Sequence, residues 1–508
     1  MCKILTVLML GCVAAVAQPP KLDGKWLPEA ARLGSNNSIS MIWHSVLELD
    51  GDKFALTKPI DMEVPFSGTF KFDAKNPTHV DIHLAAHDLK GCPWPMKLPA
   101  TTLPGLCTLD GETLTVTFAR DATKPRPKSI VPNINECMLK CQRAPKDFTT
   151  YPKDVVVRVV DNAGVAGKAR VGTFLSDATA RNPPSNIVQK PEWTLGDQAK
   201  NLDAKGEVKF AYGDNIFRQS CLIAFEVERN LIAVSELSPA RLALKPEVVM
   251  QLQPACKVSI QAECAELKAS TESDYYNSYV MTPAGARISY VANKSGELNY
   301  LLPPGDYECW VYGQMMSGAR KSFTVPKDQS SYTAKPISVP PSNFLKLIKN
   351  KAPELTGVLG WKGKPVTLAD CKGKFVMLEF WGHWCGPCIA SMPVLFDLHE
   401  KFPNDLVVIG VHVDAEDDIN TSKKLDEKIK VSVDKAWKGK DLPFSTALVS
   451  GKTTTDDETR SRGTAAEQYG VRGFPTTVLI DRAGNVVSVF HAHDTKYAIE
   501  EFEKLLKK

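Results

Sequence analysis

Two cysteines stand where an apolar strand pattern gives way to a helical one. Cys385 and Cys388 are separated only by Gly386 and Pro387, and the apolar run 375–381 comes shortly before them. A cysteine at the start of a helix faces unpaired backbone N–H groups and the positive end of the helix dipole, which favour thiolate over thiol. Because Gly and Pro let the chain turn back, the two sulfurs can close a disulfide. The spacing predicts a redox-active dithiol with Cys385 as the attacking sulfur.

Zinc sites also use the Cys-x-x-Cys spacing, usually with a second such pair or two histidines. The sequence has no second Cys-x-x-Cys, and no histidine pair follows Cys388 at zinc-finger distance. Two weaker metal candidates stay open. Cys137 and Cys141 have helical i, i+4 spacing, and His83 lies four residues before His87. Neither pair has a further ligand at fixed spacing. We expect no metal and no cofactor.

Two titratable residues precede the dithiol. Strand alternation places Glu379 on the same face as Met377 and Trp381, where burial would raise the pKa of its carboxyl. Such a group can take the proton of the resolving cysteine, whereas an acid at the strand edge would only face water. His383, two residues before Cys385, would favour the thiolate if it were protonated and close, or would be a plain surface residue. For Glu379 and for His383, both the functional and the plain alternative stay open.

Trp384 to Cys388 reads Trp-Cys-Gly-Pro-Cys, and Gly473-Phe474-Pro475-Thr476 opens a further strand pattern at 476–480. With these motifs, residues 343–508 resemble the thioredoxin superfamily, specifically its exported TlpA/ResA-like thiol-disulfide branch. The resemblance implies an α/β thioredoxin fold for this part of the chain.

The resemblance also implies roles for single residues. Pro475 would be a cis proline lying against the dithiol, and Phe474 would offer backbone groups to a substrate strand. Glu379 stands where cytosolic thioredoxins carry a buried Asp. The catalytic residues expected are Cys385, Cys388, Glu379 and Pro475, and the substrate-binding ones are Trp384, Phe474, Gly386 and Pro387.

The expected activity is thiol-disulfide exchange with disulfide-containing protein substrates, followed by re-reduction by an upstream thiol donor. The motif does not fix the direction, and we expect a reductase. Two other classes stay open: an envelope scaffold that binds a ligand or protein and carries a redox-sensing dithiol, and a peroxidase of the thioredoxin fold.

The composition of the chain excludes few classes of function. The 508 residues suffice for several domains, and 62 basic against 58 acidic residues leave a net charge of only +4. No basic stripe with interleaved aromatic residues occurs, so we expect no nucleic-acid partner.

The chain begins like an exported protein. Residues 1–17 have one charge, Lys3, then an apolar run and small residues at Ala15 and Ala17, which is typical of a secretory signal peptide. We therefore expect export to the periplasm or cell envelope. Cys12 offers the alternative of a lipoprotein anchor, the one route to membrane association that we expect. Because exported proteins are oxidised, structural disulfides are expected, first Cys92–Cys107 and Cys256–Cys264.

The rest of the chain is predicted to be β-rich. Residues 18–145 show short alternating strands parted by Asp-Gly and Asn-Pro turns, and they resemble a small lipocalin-like barrel domain of bacterial exported proteins. Residues 150–250 and 251–340 resemble carboxypeptidase-regulatory-like or Ig-like sandwiches. Since neither shows a nucleophile, acid pair or metal set, we interpret both as scaffold. The predicted architecture is thus a barrel, two β-sandwiches and an α/β domain.

Overall fold

The computed structural model of the chain describes most of the sequence. The described residues are 21–33, 36–37, 45–57, 66–88, 97–98, 100–119, 122, 124–131, 136–165, 168–173, 175–177, 193–195, 199–212, 221–415, 419–451, 463–490 and 494–507. The predicted signal segment with Cys12, and also Cys92, lie outside these residues. Among the described helices, none combines the length and apolar character needed to cross a membrane.

The N-terminal region is a closed antiparallel barrel. Its strands are β1 (Gly24–Leu33), β2 (Asn36–Asn37), β3 (Leu47–Asp50), β4 (Lys53–Leu56), β5 (Phe66–Phe72), β6 (His79–Leu84), β7 (His87–Asp88), β8 (Lys97–Leu98), β9 (Thr101–Asp110), β10 (Thr113–Ala119) and β11 (Glu136–Arg143). The sheet runs β11-β10-β9-β6-β5-β4-β3-β1-β2, and it closes because β11 also pairs with β1. Trp26, Leu49 and Leu114 pack inside it. The predicted antiparallel barrel is confirmed, while its likeness to lipocalins stays a prediction.

The middle region consists of several sheets. Its elements are β12 (Asp154–Asp161), β13 (Gly164–Val165), β14 (Arg170–Gly172), β15 (Leu175–Asp177), β16 (Trp193–Leu195), β17 (Lys200–Asn201), β18 (Glu207–Ala211), β19 (Cys221–Glu226), β20 (Leu231–Glu236), α1 (Pro239–Leu244), β21 (Glu247–Gln251), β22 (Gln253–Pro254), β23 (Cys256–Glu263), α2 (Ala265–Ala269), β24 (Tyr276–Met281), β25 (Arg287–Asn293), β26 (Glu297–Leu302), β27 (Gly305–Tyr312), β28 (Ala319–Val325), β29 (Ser331–Thr333) and β30 (Ile337–Ser338).

These sheets join the two predicted sandwich modules. The hairpin β15–β16 belongs in sequence to the first module, yet β15 pairs in parallel with β25 of the second. The resulting sheet runs β16-β15-β25-β24-β27-β28. The two modules therefore share a sheet across the boundary expected at residue 250, and their assignment to Ig-like or carboxypeptidase-regulatory-like sandwiches stays a prediction.

The cysteines of these regions correct two predictions. Cys137 and Cys141 lie on strand β11, not on a helix, and four residues of strand separate them by about 13 Å, too far to share one metal ion. Cys256 begins β23 and Cys264 follows its last residue, so about 26 Å of extended chain lies between them. A disulfide needs Cα atoms within roughly 7 Å. The predicted Cys256–Cys264 disulfide is therefore wrong.

Buried thiols take the place of the expected structural disulfides. Among the described residues the one disulfide is Cys385–Cys388. Burial raises the pKa of Cys107 to about 12 and that of Cys309 to about 11. The free, buried cysteines are Cys107, Cys141, Cys221, Cys256, Cys264, Cys309 and Cys371.

The C-terminal region is a six-stranded mixed sheet with helices on both faces. Its elements are α3 (Asn343–Leu347), β31 (Val358–Lys362), a 3-10 turn (Leu368–Cys371), β32 (Phe375–Trp381), α4 (Gly386–Lys401), β33 (Leu406–His412), α5 (Ser422–Lys435), β34 (Thr446–Val449), α6 (Thr464–Gln468), β35 (Thr476–Ile480), β36 (Val486–Phe490) and α7 (Thr495–Leu506). The sheet runs β31-β34-β33-β32-β35-β36, with β32, β33 and β34 parallel. This is the β-α-β then β-β-α order expected of a thioredoxin fold.

Strand β32 is buried on both faces. Met377 and Trp381 face the cluster formed with α4, α5 and α7. Leu378 and Phe380 face a second cluster that includes α3 and α6 and runs on into the middle region. Within the C-terminal region, Gly470, with φ of +65°, lies so close to Phe344 that a Cβ would stand 2.4 Å from the Phe344 nitrogen. The C-terminal region and the middle region thus share one apolar core.

Helix α4 contains a proline whose missing hydrogen bond is replaced from outside. Pro393 has no N–H, so the Ile389 carbonyl one turn earlier loses its intrahelical donor. The indole Nε1–H of Trp437 donates to that carbonyl at 2.8 Å. Trp437 is buried and contacts Trp381 and Phe396 edge-on. Trp437 therefore satisfies a buried acceptor in the helix that starts at the dithiol.

We predict that Trp437→Phe lowers the free energy of unfolding by about 1–3 kcal/mol beyond its packing loss, because the Ile389 carbonyl is left buried without a donor. Repeating the substitution in a Pro393→Ala background isolates the contribution of this hydrogen bond, because the new amide N–H at position 393 can donate to the Ile389 carbonyl instead. In that background, urea unfolding should show a smaller loss of unfolding free energy on Trp437→Phe. An equal cost in both backgrounds would contradict the assignment.

Candidate functional site

The dithiol lies just beyond the end of strand β32, at the start of α4. Cys385 and Cys388 are joined as a disulfide with Cα atoms 5.2 Å apart. Cys385 is the N-cap residue of α4, and its Sγ accepts a hydrogen bond from the Cys388 amide at 3.3 Å. A thiolate formed at this sulfur would keep that bond and would face the positive end of the helix.

The two sulfurs differ in access. Cys385 keeps 6% of its surface exposed, whereas Cys388 is fully buried. Gly386 and Pro387, between them, are exposed. An incoming disulfide can therefore reach Cys385 first, which is the order that an attacking and a resolving cysteine require.

Glu379 lies inside the protein on the dithiol side of β32. It is only 1% exposed, which excludes the alternative of an acid that faces water. The Thr477 hydroxyl on β35 donates to its Oε2 at 2.5 Å. Burial raises the pKa of Glu379 to about 7, although the Thr477 bond opposes the rise. The carboxyl can thus gain or lose a proton near neutral pH, and its catalytic role stays a prediction.

The loop before β35 lies beside the dithiol segment. The Phe474–Pro475 peptide bond is cis. Thr476, the next residue, pairs with Phe380 near the end of β32. Pro475 therefore lies at the end of the sheet from which the segment carrying the dithiol emerges. The Phe474 ring meets the Trp384 ring edge-on with centroids 5.8 Å apart. The structure therefore brings the predicted residues of the two motifs together.

The backbone of Phe474 is open to a partner. Within the part of the chain that the structure describes, neither its N–H nor its C=O makes a backbone hydrogen bond. Phe474 is also partly exposed. An extended peptide can pair with such an unbonded edge.

A second histidine, which sequence reasoning missed, supports the turn before the dithiol. His412, the last residue of β33, is fully buried, and burial lowers its pKa to about 3. Its Nε2 accepts the His383 backbone N–H at 3.2 Å, and the two rings stack. Nε2 must therefore be unprotonated. The polar residue within the apolar run 406–413 was the one signal available in the sequence.

His383 itself lies against His412 and not free on the surface. Its Nδ1 is 3.2 Å from the same His412 Nε2. A hydrogen bond across this contact would require a proton on the His383 Nδ1. The predicted influence of His383 on the thiolate stays a prediction.

Gly382 permits this turn. A Cβ at Gly382 would stand 2.6 Å from the Trp384 ring. The Gly382 carbonyl accepts the Cys385 N–H at 2.9 Å, which fixes the cysteine at the helix start. No group of three or more metal-ligating side chains occurs among the described residues.

Comparison with known proteins gives consistent matches in this region. The AhpC/TSA family model matches residues 348–489, which contain both cysteines and the cis-proline loop. The thiol-disulfide oxidoreductase ResA of Bacillus thuringiensis subsp. konkukian is 33% identical over 157 residues, 31% of this chain and 77% of that protein. ResA of Bacillus subtilis is 30% identical over 145 residues, 28% of this chain and 68% of that protein.

Among solved structures, a putative thiol:disulfide interchange protein DsbE from Chlorobium tepidum matches with 26% sequence identity and a TM-score of 0.23. The match covers 31% of this chain and 94% of that one.

The buried carboxyl predicts a pH-dependent stability. Because the pKa of Glu379 rises from 4.5 to about 7 on folding, the proton favours the folded state. The stabilisation of the folded state by this proton is fully present below about pH 4.5 and is lost as the pH rises through 7. The shift corresponds to roughly 3 kcal/mol.

Glu379→Gln cannot ionise, so we expect its unfolding free energy relative to the wild type to rise by roughly 3 kcal/mol between pH 4.5 and pH 8. Urea unfolding of both oxidised proteins measures this difference. His412 titrates with the opposite sign, losing stability as the pH falls from 6.5 towards 3, but it does so equally in both proteins. A pH-independent difference would contradict the prediction.

Proposed function

Through its C-terminal region the chain belongs to the ResA-like family of thiol-disulfide oxidoreductases, and we propose that it is an exported reductase of protein disulfides. The observation that carries this proposal is the asymmetric dithiol. Cys385 is accessible at a helix N-terminus, while Cys388 is buried directly behind it. The export pattern of residues 1–17 supports action outside the cytoplasm, in the periplasm or cell envelope, either as a secreted protein or anchored through Cys12.

The reaction starts from the reduced enzyme. The Cys385 thiolate attacks one sulfur of a substrate disulfide, so a mixed disulfide forms and the other substrate sulfur leaves as a thiolate. Cys388 then loses its proton and attacks Cys385. The second substrate sulfur leaves, and the enzyme disulfide closes. Two electrons pass from the dithiol to the substrate, and an external thiol donor must return them.

Residues around the dithiol serve these steps in the proposal. Glu379, whose pKa is about 7, accepts the proton of Cys388 at neutral pH and releases it in the next cycle. The backbone of Phe474 pairs with the substrate chain, and the Trp384 ring packs against the Phe474 ring. Pro475 places this backbone beside the disulfide, and Gly386 and Pro387 leave the approach open.

We predict that Cys385→Ser reduces insulin-disulfide reduction to the uncatalysed rate, because the attacking sulfur is gone. The matched control is Cys371→Ser, which changes a buried free cysteine of the same region and should leave turnover within about twofold of wild type. Turnover retained by Cys385→Ser would refute the assignment. Consumption of hydrogen peroxide, but not of insulin disulfides, would favour the peroxidase, and neither activity would favour the redox-sensing scaffold.

Cys388→Ser should trap the mixed disulfide, because Cys385 can still attack but nothing resolves the adduct. Non-reducing electrophoresis and mass spectrometry should detect one substrate chain bound at Cys385, released by dithiothreitol. If no adduct forms while Cys385 still reacts with small disulfides, the resolving role of Cys388 is wrong.

The direction of the reaction is tested by the equilibrium reduction potential of the wild-type dithiol. A potential of about −270 mV would support a reductase, and a potential of about −120 mV would support an oxidase.

A further inference from the structure

Arg472, at the start of the cis-proline loop, reaches into the middle region. Its Nη1 donates to the Gly313 carbonyl at 3.3 Å and to the Met316 carbonyl, and its Nη2 donates to the Ser317 hydroxyl at 3.1 Å. All three acceptors lie on the segment 313–318, which connects β27 and β28. One guanidinium thus ties the cis-proline loop to a segment outside its own domain.

The segment 313–318 is also held from its own side. The Met315 amide donates to Asp274 Oδ2 at 2.7 Å. Ser342 donates its amide to the Met315 carbonyl at 3.0 Å and its hydroxyl to the Gln314 carbonyl at 3.0 Å. The Ser317 amide donates to the Pro340 carbonyl at 2.7 Å. Because its backbone is fixed in this way, the segment can set the position of Arg472 and not merely follow it.

The segment also carries a partly exposed apolar side chain, Met315. Met315, Phe474 and Trp384 are each partly exposed, and all three pack against the same apolar cluster. Phe474 lies two residues after Arg472 and contacts Trp384, which directly precedes Cys385. Through Arg472 and Phe474, the residues next to Cys385 are therefore linked to the segment 313–318 of the middle region.

Resting on the function proposed above, we propose that the segment 313–318 and the cis-proline loop 472–475 form one composite surface for the polypeptide that flanks the substrate disulfide. The occupant is an extended segment that pairs with the Phe474 backbone and places an apolar side chain against Met315. Arg472 is the positioning residue that holds the two halves in register. A small disulfide needs only the sulfur of Cys385, so the composite surface confers preference for polypeptides.

The test compares two substrates on the full-length protein. The ratio of kcat/KM for insulin to kcat/KM for hydroxyethyl disulfide isolates polypeptide recognition from exchange chemistry. We expect Arg472→Ala to lower this ratio about tenfold, mainly through KM for insulin, and Arg472→Lys to restore part of it. The control Arg482→Ala removes an arginine that pairs with Asp405 and should leave both rates unchanged.

Met315→Gln provides a second variant that leaves the Arg472 contacts in place, and it should lower the same ratio by about threefold to tenfold. An unchanged ratio in Arg472→Ala and Met315→Gln, with both proteins folded, would overturn the inference. If Arg472→Ala does not fold, Met315→Gln decides alone. A wild-type protein that reduces neither substrate would instead refute the proposed function, so the two failures are distinguishable.

Discussion

The burial of strand β32 on both faces is the constraint on which the C-terminal architecture depends. All seven of its residues are buried, so both faces must be covered by apolar neighbours. Helices α4 and α7 cover one face, while α3, α6 and the edge of the middle region cover the other. Because the strand cannot shift between these layers, the chain that leaves its end delivers Cys385 to the first turn of α4 in one position.

This constraint brings polar groups into the interior, and three of them are neutral or hydrogen-bonded. Glu379 accepts a hydrogen bond from Thr477, and burial favours its protonated form. His412 stays uncharged, and it holds the backbone of the turn before the cysteines. Trp437 supplies the donor that Pro393 removes from α4. A buried polar group without such a partner would cost about 1–3 kcal/mol.

Local patterns predicted the features that depend on neighbours in sequence. The sequence predicted the dithiol, the strand before it and the helix after it, because a strand period of two and a helix period of 3.6 are properties of single segments. The barrel followed from alternation and turn residues. The same locality explains an error: Cys137 and Cys141 share one face on a helix, but they also share one face on a strand.

Contacts between distant segments had no such signal. Nothing near Arg472 in the sequence indicates that its guanidinium reaches residues 313–317, and β15 is too short for its pairing with β25 to be foreseen. The exclusion of three thiols of the middle region from solvent has a consequence of its own. Cys221, Cys256 and Cys309 are buried, so their thiols cannot reach and attack the Cys385–Cys388 disulfide of a neighbouring molecule. Copies that meet at high concentration therefore do not form mixed disulfides through these three thiols, and packing alone gives this protection.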